Sequence, residues 1–261
     1  MRTRFAAAQI LLCLLCLPAL SGAAAPACTA TSGKLVPAVV ELYTSEGCDS
    51  CPPADRWLAA LKDHAATGKV VPLAFHIDYW DYLGWKDRFA DPAFGVRHRE
   101  AASRGGARVV YTPQVLVEGR EFQQWRRTSP DKVAATAAAK AARADLRVSA
   151  APAAAGKVLI SVAGRALPGA RAAAAYVALF ESGLSSDVKS GENKGVVLRH
   201  DFVVRRWLGP FAFDAGALEL TQTLALPDDA VPGQSGVAVI AVDDRGSTLQ
   251  ALALPLRDCG G

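Results

Sequence analysis

An excess of charge of one sign is missing from this sequence. The 261 residues carry 29 Lys and Arg against 25 Asp and Glu, and charged residues make up 21% of the chain. This near-neutral balance argues against nucleic acid or an anionic surface as a partner. Long apolar runs are also missing near the N-terminus, where the run at residues 10–17 is too short to cross a bilayer comfortably. We therefore predict no transmembrane segment in the mature chain.

Residues 1–27 instead have the pattern of a secretory signal peptide. Arg2 and Arg4 precede the apolar run, and small residues follow it. We predict that this segment is removed, which leaves 27 basic against 25 acidic residues, and that the protein is periplasmic or secreted. Cys13 and Cys16 lie in the removed segment, so they are excluded as functional cysteines.

A Cys-x-x-Cys motif follows the first buried strand of the mature chain. The strand is predicted at residues 39–43, and Cys48 and Cys51 come after a polar turn. Apolar residues at helical spacing then follow, namely Ala54, Trp57, Leu58 and Leu61. Two cysteines at this spacing between a strand and a helix are typical of a redox dithiol.

Two other interpretations of Cys48 and Cys51 stay open. In an exported protein the pair can be a permanent structural disulfide. The thiolates could also bind Cu(I) or Zn, with His76 or His98 completing the ligand set. We favour the redox pair, which needs no dissociable cofactor and no metal.

The strand order predicts where the other site residues lie. A second buried strand at residues 70–77 should run parallel to the first, with a hairpin at 114–125 beside them. Sites in such sheets form beyond the carboxyl ends of parallel strands, so His76 and Tyr79 should face the cysteines across one cleft. His76 is either an acid–base group or a core histidine. Tyr79 and Trp80 are either a wall for a peptide substrate or part of the core.

The chain changes character at residue 145. Helical spacing disappears, and several short strands separated by turns follow, which is typical of a β-sandwich. We therefore predict an α/β domain at 36–145 and an all-β, sandwich-like domain at 146–259. His200 falls on the apolar face of one of these strands and is predicted to be buried and hydrogen-bonded. The turn at residues 191–195 is either a simple hairpin turn or a segment that docks onto the cysteine cleft.

Four blocks of the sequence carry a resemblance to a known family. They are ELYTSEGCDSCPPAD, FHIDYWDYLGWKD, YTPQVLVEG and GENKGVVLRHDFVVR. Together they resemble the bacterial secreted family labelled domain of unknown function 1223. That family implies a thioredoxin-like fold for the first domain but supplies no substrate or reaction.

The likeness to thioredoxins implies roles for individual residues. Cys48 would be the exposed nucleophile and Cys51 the resolving thiol. Pro113 would be a cis-proline lying against the dithiol, with Tyr111 and Thr112 beside it. The predicted function is therefore an exported thiol–disulfide oxidoreductase that acts on protein thiols or disulfides. The alternative is a non-catalytic binding or adaptor protein with a static disulfide.

Cys28 and Cys259 lie near opposite ends of the mature chain. The termini of compact units are often close together, and disulfides persist in an oxidising compartment. We predict a disulfide between these two cysteines. The alternatives are a lipid on Cys28 or two free thiols.

Overall fold

The computed structural model describes residues 27–137, 140–154 and 156–259. Apart from Ala27, the predicted signal peptide lies outside these residues. The strands in the described residues are β1 (Cys28–Thr31), β2 (Ala38–Thr44), β3 (Val70–His76), β4 (Gln114–Val117), β5 (Arg120–Glu121), β6 (Ala144–Pro152), β7 (Lys157–Ala166), β8 (Ala174–Glu181), β9 (Leu184–Asp187), β10 (Val197–His200), β11 (Val203–Ala212), β12 (Ala217–Ala225), β13 (Ser235–Val242) and β14 (Thr248–Pro255).

The described residues contain fewer helices than strands. The α-helices are α1 (Pro52–Ala59), α2 (Lys62–Ala66), α3 (Pro92–Arg104) and α4 (Pro130–Ala137), and short 3-10 turns lie at Asp78–Leu83, Gln123–Arg127, Pro232–Gln234 and Leu256–Asp258. Within the described residues, none of the helices is both long enough and apolar enough to pass through a membrane.

An eight-stranded sheet forms the centre of the protein, in the order β14-β13-β8-β11-β3-β2-β4-β5. Every residue of β2 and β3 is buried, as expected for parallel strands covered on both faces. These two strands pair in parallel, with Tyr43 opposite Phe75, and β4 runs antiparallel to β2. β11 joins the other side of β3 in parallel through Val203 and Ala74. The sheet therefore contains strands from both sides of residue 145.

Helices cover both faces of the sheet around β2 and β3. On one face, Ala54 and Leu58 of α1 and Val133 of α4 share a core with Val40 and Leu42. On the other face, Phe94 and Ala101 of α3 pack with Val39, Tyr43 and Phe75. This layering fixes the carboxyl end of β2 and the start of α1, which carry the two cysteines.

A second sheet, in the order β1-β6-β7-β12, covers the other end of the large sheet. Its inward residues, such as Leu146 and Ile160, share a core with Val177 and Val239 of the large sheet. The predicted Cys28–Cys259 disulfide is present and lies in this region. It connects residues 231 positions apart in the chain, with a Cα–Cα distance of 4.7 Å.

β9 and β10 form a two-stranded hairpin that belongs to neither sheet. We call residues 184–200 the arm, and residues 191–195 its tip. The arm leaves the large sheet after β8 and returns at β11, and these two strands are neighbours in that sheet. β10 contacts α1, so the arm lies over the helix that begins at the cysteines.

Candidate functional site

Cys48 and Cys51 lie where the sequence places them, between the end of β2 and the start of α1. They form a disulfide with a Cα–Cα distance of 5.4 Å. Cys51 is the N-cap residue of α1, and the helix begins with Pro52 and Pro53. Prolines suit a first turn because the amides there have no partner within the helix.

The exposure expected for Cys48 is wrong, since Cys48 and Cys51 are both 0% exposed. The tip of the arm lies against the cysteine loop and is bonded to its backbone. The Asn193 side-chain amide donates hydrogen bonds to the backbone carbonyls of Glu46 and Cys48, both at 2.9 Å. Glu192 accepts a third bond from the Asp49 amide at 3.0 Å. The turn at 191–195 thus docks onto the cysteine loop.

The loop that contains Pro113 is connected to the cysteine loop through Trp80. The Thr112–Pro113 peptide bond is cis, as the resemblance implied. Trp80 donates a hydrogen bond to the Thr112 hydroxyl at 2.7 Å. Its other side lies against Gly47, where a Cβ atom would come within 2.9 Å of the Trp80 Cβ. Only glycine fits that position without a shift of one of the two segments.

Tyr79 and Tyr111 stand at the surface beside this loop and are 40% and 39% exposed. The Tyr111 hydroxyl donates to Glu121 at 2.6 Å. Partial burial and the neighbouring Glu121 carboxylate raise the pKa of Tyr111 to about 12. Tyr111 therefore stays protonated at neutral pH and acts as a surface aromatic group.

A buried group of acids and histidines lies next to the cysteine loop. Its members are Glu46, Asp55, His76, Asp87 and His200. His76 Nδ1 is 2.7 Å from Asp87 Oδ2, and both side chains are completely buried. Asp87 also accepts hydrogen bonds from the amides of Glu46 and Phe89, each at 2.9 Å. Asp87 therefore connects the end of β3 to the cysteine loop through the Glu46 amide.

His200 of the arm completes this acid–histidine group on the other side. Its Nε2 is 3.2 Å from Glu46 Oε1, an ion-pair distance without hydrogen-bond alignment. Trp85 donates to the second oxygen of Glu46 at 2.7 Å. Burial alone would raise the pKa of Glu46, but His200, Ser186 and Trp85 hold it below its usual value. Glu46 is therefore an anion at neutral pH.

Asp55 behaves differently from Glu46 and Asp87. It lies one helical turn after Cys51, and its amide bonds to the Cys51 carbonyl at 3.2 Å. Its carboxylate accepts a bond from the Thr44 hydroxyl at 3.3 Å. Burial raises the pKa of Asp55, against the opposing influence of His200 and His76. A carboxyl of this kind can hold a proton at a higher pH than an exposed aspartate does.

The pair of His76 and Asp87 makes a prediction about pH. Burial lowers the pKa of His76, but the charge of Asp87, its hydrogen bond and the charges of Asp55 and Glu46 leave that pKa raised above 6.5. The stabilisation by charged His76 is therefore complete below pH 6.5 and lost as pH rises through the raised pKa. We expect His76→Gln to lower the free energy of unfolding by about 2 kcal/mol at pH 6 and by less at pH 9.

Urea unfolding of both proteins at several pH values would measure this difference. His64→Gln is the matched control, because His64 pairs with Asp131, whose side chain is 86% exposed. The control should change stability little at any of these pH values. A cost of His76→Gln that stays constant or grows between pH 6 and 9 would contradict the assignment of a charged pair.

Sequence reasoning missed most of this acid–histidine group. His76 was singled out, and His200 was predicted to be buried and hydrogen-bonded. His200 is buried, with an exposure of 3%, but neither of its ring nitrogens has a hydrogen-bond partner among the described residues, so that part of the prediction is wrong. Asp55 and Asp87 looked like ordinary helix and loop residues, and nothing in the sequence indicated that Glu46 is buried. His98 lies elsewhere, stacked on Tyr43 at 4.1 Å between ring centroids. In the described ranges, no three His, Cys, Asp or Glu side chains converge in a way that could hold a metal ion.

These features define a β-rich protein with a covered Cys-x-x-Cys disulfide at a strand–helix junction, set against buried acids and histidines. A family model described as "Protein of unknown function (DUF1223)" matches residues 39–242. The chain belongs to this family. No curated protein matches it.

Two solved structures resemble the chain over most of its length. Protein AGR_C_4864 from Agrobacterium tumefaciens is 28% identical, with a TM-score of 0.57, and the match covers 85% of this chain and 96% of that one. HBP35 of Porphyromonas gingivalis is 14% identical, with a TM-score of 0.67, over 88% of this chain and 78% of that one. At that identity the second likeness concerns the fold alone.

Proposed function

We propose that the protein is an exported thiol–disulfide oxidoreductase that works through Cys48 and Cys51. The observation that carries the proposal is the disulfide at the start of α1, set beside buried side chains that can hold protons. The start of a helix favours an anion such as a thiolate through the helix dipole, although α1 begins with two prolines that have no amide hydrogen to donate. Export is supported by the two disulfides, which persist in oxidising compartments.

We also propose that residues 36–145 are a thioredoxin-like unit and that residues 146–259 form a sandwich-like unit joined to it. The first is supported by parallel β2 and β3 with α1 between them, and by antiparallel β4 on the other side of β2. The second is supported by the core that the four-stranded sheet shares with β8, β13 and β14.

The proposed reaction is dithiol–disulfide exchange with a partner protein. A thiolate of a reduced partner attacks the Cys48 sulfur, the Cys48–Cys51 bond breaks, and a mixed disulfide forms on Cys48 with a thiolate on Cys51. A second thiolate of the partner then attacks the partner sulfur that is bonded to Cys48. The mixed disulfide breaks, and Cys48 is released as a thiolate. Two electrons pass to the cysteine pair, and the partner leaves with a disulfide. The reverse sequence reduces a partner disulfide.

Proton supply in this reaction is assigned to Asp55. Asp55 lies one helical turn from Cys51, where a thiolate is released, and burial raises its pKa, so its carboxyl gives up a proton less readily than an exposed aspartate does. Glu46, in contrast, is an anion close to Cys48, and nearby negative charge disfavours a second anion. We therefore expect a reducing couple, near the potential of about −270 mV typical of thioredoxin rather than about −120 mV for the strongest oxidants.

A protein substrate is supported by the surface around the disulfide. Most of the large hydrophobic side chains that are exposed in the described residues lie in three segments that are adjacent in sequence to His76, Pro113 or the tip of the arm. They are Tyr79 and Tyr82 after β3, Val109, Val110 and Tyr111 before Pro113, and Val196 and Val197 in the arm. Apolar surface of this kind suits an extended segment of another protein.

A second function is favoured by one observation, the complete burial of both cysteine sulfurs. In that case the disulfide is static, and the protein is a binding or adaptor protein that uses the same apolar surface. The two functions differ in the reducibility of the Cys48–Cys51 bond. Structural disulfides have reduction potentials more negative than about −300 mV, so cellular thiols do not reduce them. Catalytic disulfides have less negative potentials.

Redox titration of the purified protein separates the two functions. The protein is equilibrated in dithiothreitol buffers of defined potential, alkylated, and the state of Cys48 and Cys51 is read by peptide mass spectrometry. We expect a midpoint near −270 mV for this pair. Cys28 and Cys259 are the internal reference and should stay oxidised. A Cys48–Cys51 midpoint more negative than about −300 mV would favour the binding or adaptor protein, in which the disulfide is static.

A further inference from the structure

We infer that Asn193 determines which thiols reach Cys48. This inference rests on the proposed function, and it adds a specificity determinant from the second half of the chain. Asn193 lies 145 residues after Cys48, yet its side chain is buried against the cysteine loop. Its amide group binds the two carbonyls that flank Gly47, those of Glu46 and Cys48. Asn193 thereby holds the tip of the arm over the disulfide.

The architecture of the arm allows the tip to lift without disturbing the sheets. β9 and β10 pair only with each other among the described strands, so opening the tip breaks no bond of either large sheet. The base of the arm is anchored separately. The Gly183 amide donates to Asp201 at 3.0 Å, and Arg88 donates to the Ser185 carbonyl at 3.1 Å. The moving part is therefore the tip, residues 191–195.

The contacts of the tip are those that a polypeptide can replace and a small thiol cannot. Lifting the tip removes the Asn193 and Glu192 bonds from the Glu46 carbonyl and the Asp49 amide, and it leaves the Cys48 carbonyl with only the Cys51 amide at 3.2 Å. An extended protein segment carries backbone amides and carbonyls that can bind these groups in place of Asn193 and Glu192. Glutathione has only two amide groups, one of them γ-linked, and no extended backbone on both sides of its cysteine, so it cannot replace all three contacts and must wait for spontaneous opening. Asn193 thus favours protein thiols over small ones.

The first test compares two reductants on three proteins. The wild type, Asn193→Ala and Lys194→Ala are reduced with glutathione and, separately, with reduced, unfolded lysozyme. The rate is followed by alkylation and mass spectrometry of Cys48 and Cys51. Lys194 is exposed in the same tip and serves as the matched control.

We expect Asn193→Ala to accelerate reduction by glutathione about tenfold, because two amide–carbonyl bonds of the closed state are lost. Reduction by lysozyme should change less than about threefold, because that partner displaces the tip itself. Lys194→Ala should match the wild type with both reductants. Equal acceleration with both reductants, or none with glutathione, would overturn the inference.

A second variant and a measurement on the wild type guard against misfolding of Asn193→Ala. Glu192 is exposed, and Glu192→Ala removes only the bond to the Asp49 amide. This change should raise the rate at which glutathione reduces the Cys48–Cys51 disulfide about threefold. Asn193 is the only asparagine in the sequence, so labelling with ¹⁵N-asparagine gives one side-chain amide signal. In the oxidised wild type that amide should exchange slowly with solvent. Rapid exchange would show that the tip is not held by Asn193.

These outcomes are independent of the redox titration. If the Cys48–Cys51 midpoint is near −270 mV and the Asn193 variant behaves as the wild type, the oxidoreductase stands and the role of Asn193 fails. If the variant is selectively faster with glutathione but the midpoint lies below −300 mV, Asn193 controls access to a disulfide that is not catalytic.

Discussion

Replacement of Cys51 by alanine is expected to abolish the reduction of insulin disulfides, down to the rate of dithiothreitol alone. Without Cys51 no thiol of the protein can resolve the mixed disulfide on Cys48. Cys51 is the residue that begins α1 and is bonded to Cys48, so no other described cysteine can take its place. The second effect of the same change is accumulation of a covalent adduct between Cys48 and its partner.

Insulin turbidity measures the first effect, and intact-mass spectrometry under non-reducing conditions measures the second. The matched control is the double variant Cys28→Ala/Cys259→Ala, which removes the distant disulfide instead. Assayed at a temperature at which it is folded, the control should keep the wild-type rate. Retention of wild-type activity by Cys51→Ala would refute the exchange mechanism, and so would an adduct that forms equally in Cys48→Ala.

The largest expected effect on stability comes from Asp87. Asp87→Ala is expected to lower the free energy of unfolding by about 3–5 kcal/mol, as for other broken buried pairs. The carboxylate accepts bonds from His76 and from the amides of Glu46 and Phe89. Its removal leaves three donors buried without an acceptor, and one of them is the His76 imidazole. The cysteine loop should loosen as well, because the Glu46 amide is one of those donors.

Urea denaturation at pH 7 measures the effect of Asp87→Ala. Asp244→Ala is the matched control, because Asp244 is exposed on the turn between β13 and β14. The control should stay within about 0.5 kcal/mol of the wild type. A loss below about 1 kcal/mol for Asp87→Ala would mean that the buried bonds of Asp87 contribute little to folding.

Local pattern in the sequence was enough to place the two cysteines. The buried run of β2, the turn residues after it and the apolar spacing of α1 are all contained in one short stretch. The Cys28–Cys259 disulfide was also predictable, because chain ends of compact units tend to be close. These features depend on neighbours in the sequence or on one general property of domains.

The cover over the disulfide was not predictable in the same way. Its bonds join residues such as Asn193 and Cys48 that are far apart in the chain, and nothing in the local pattern specifies that pairing. The burial of Asp87 was hidden for a similar reason, since its partners come from β3 and the cysteine loop. The pairing of β11 with β3 likewise depends on strands whose patterns are each complete without the other.

The pairing of β11 with β3 has a consequence for dissecting the chain. A fragment that ends at residue 145 would turn β3 into an open edge strand, although every residue of β3 is buried in the whole protein. Exposed apolar edges recruit further strands and promote aggregation. The two halves of the chain are therefore not separable domains. A fragment carrying Cys48 and Cys51 that is excised from this protein would need a redesigned, charged border along β3 to remain monomeric.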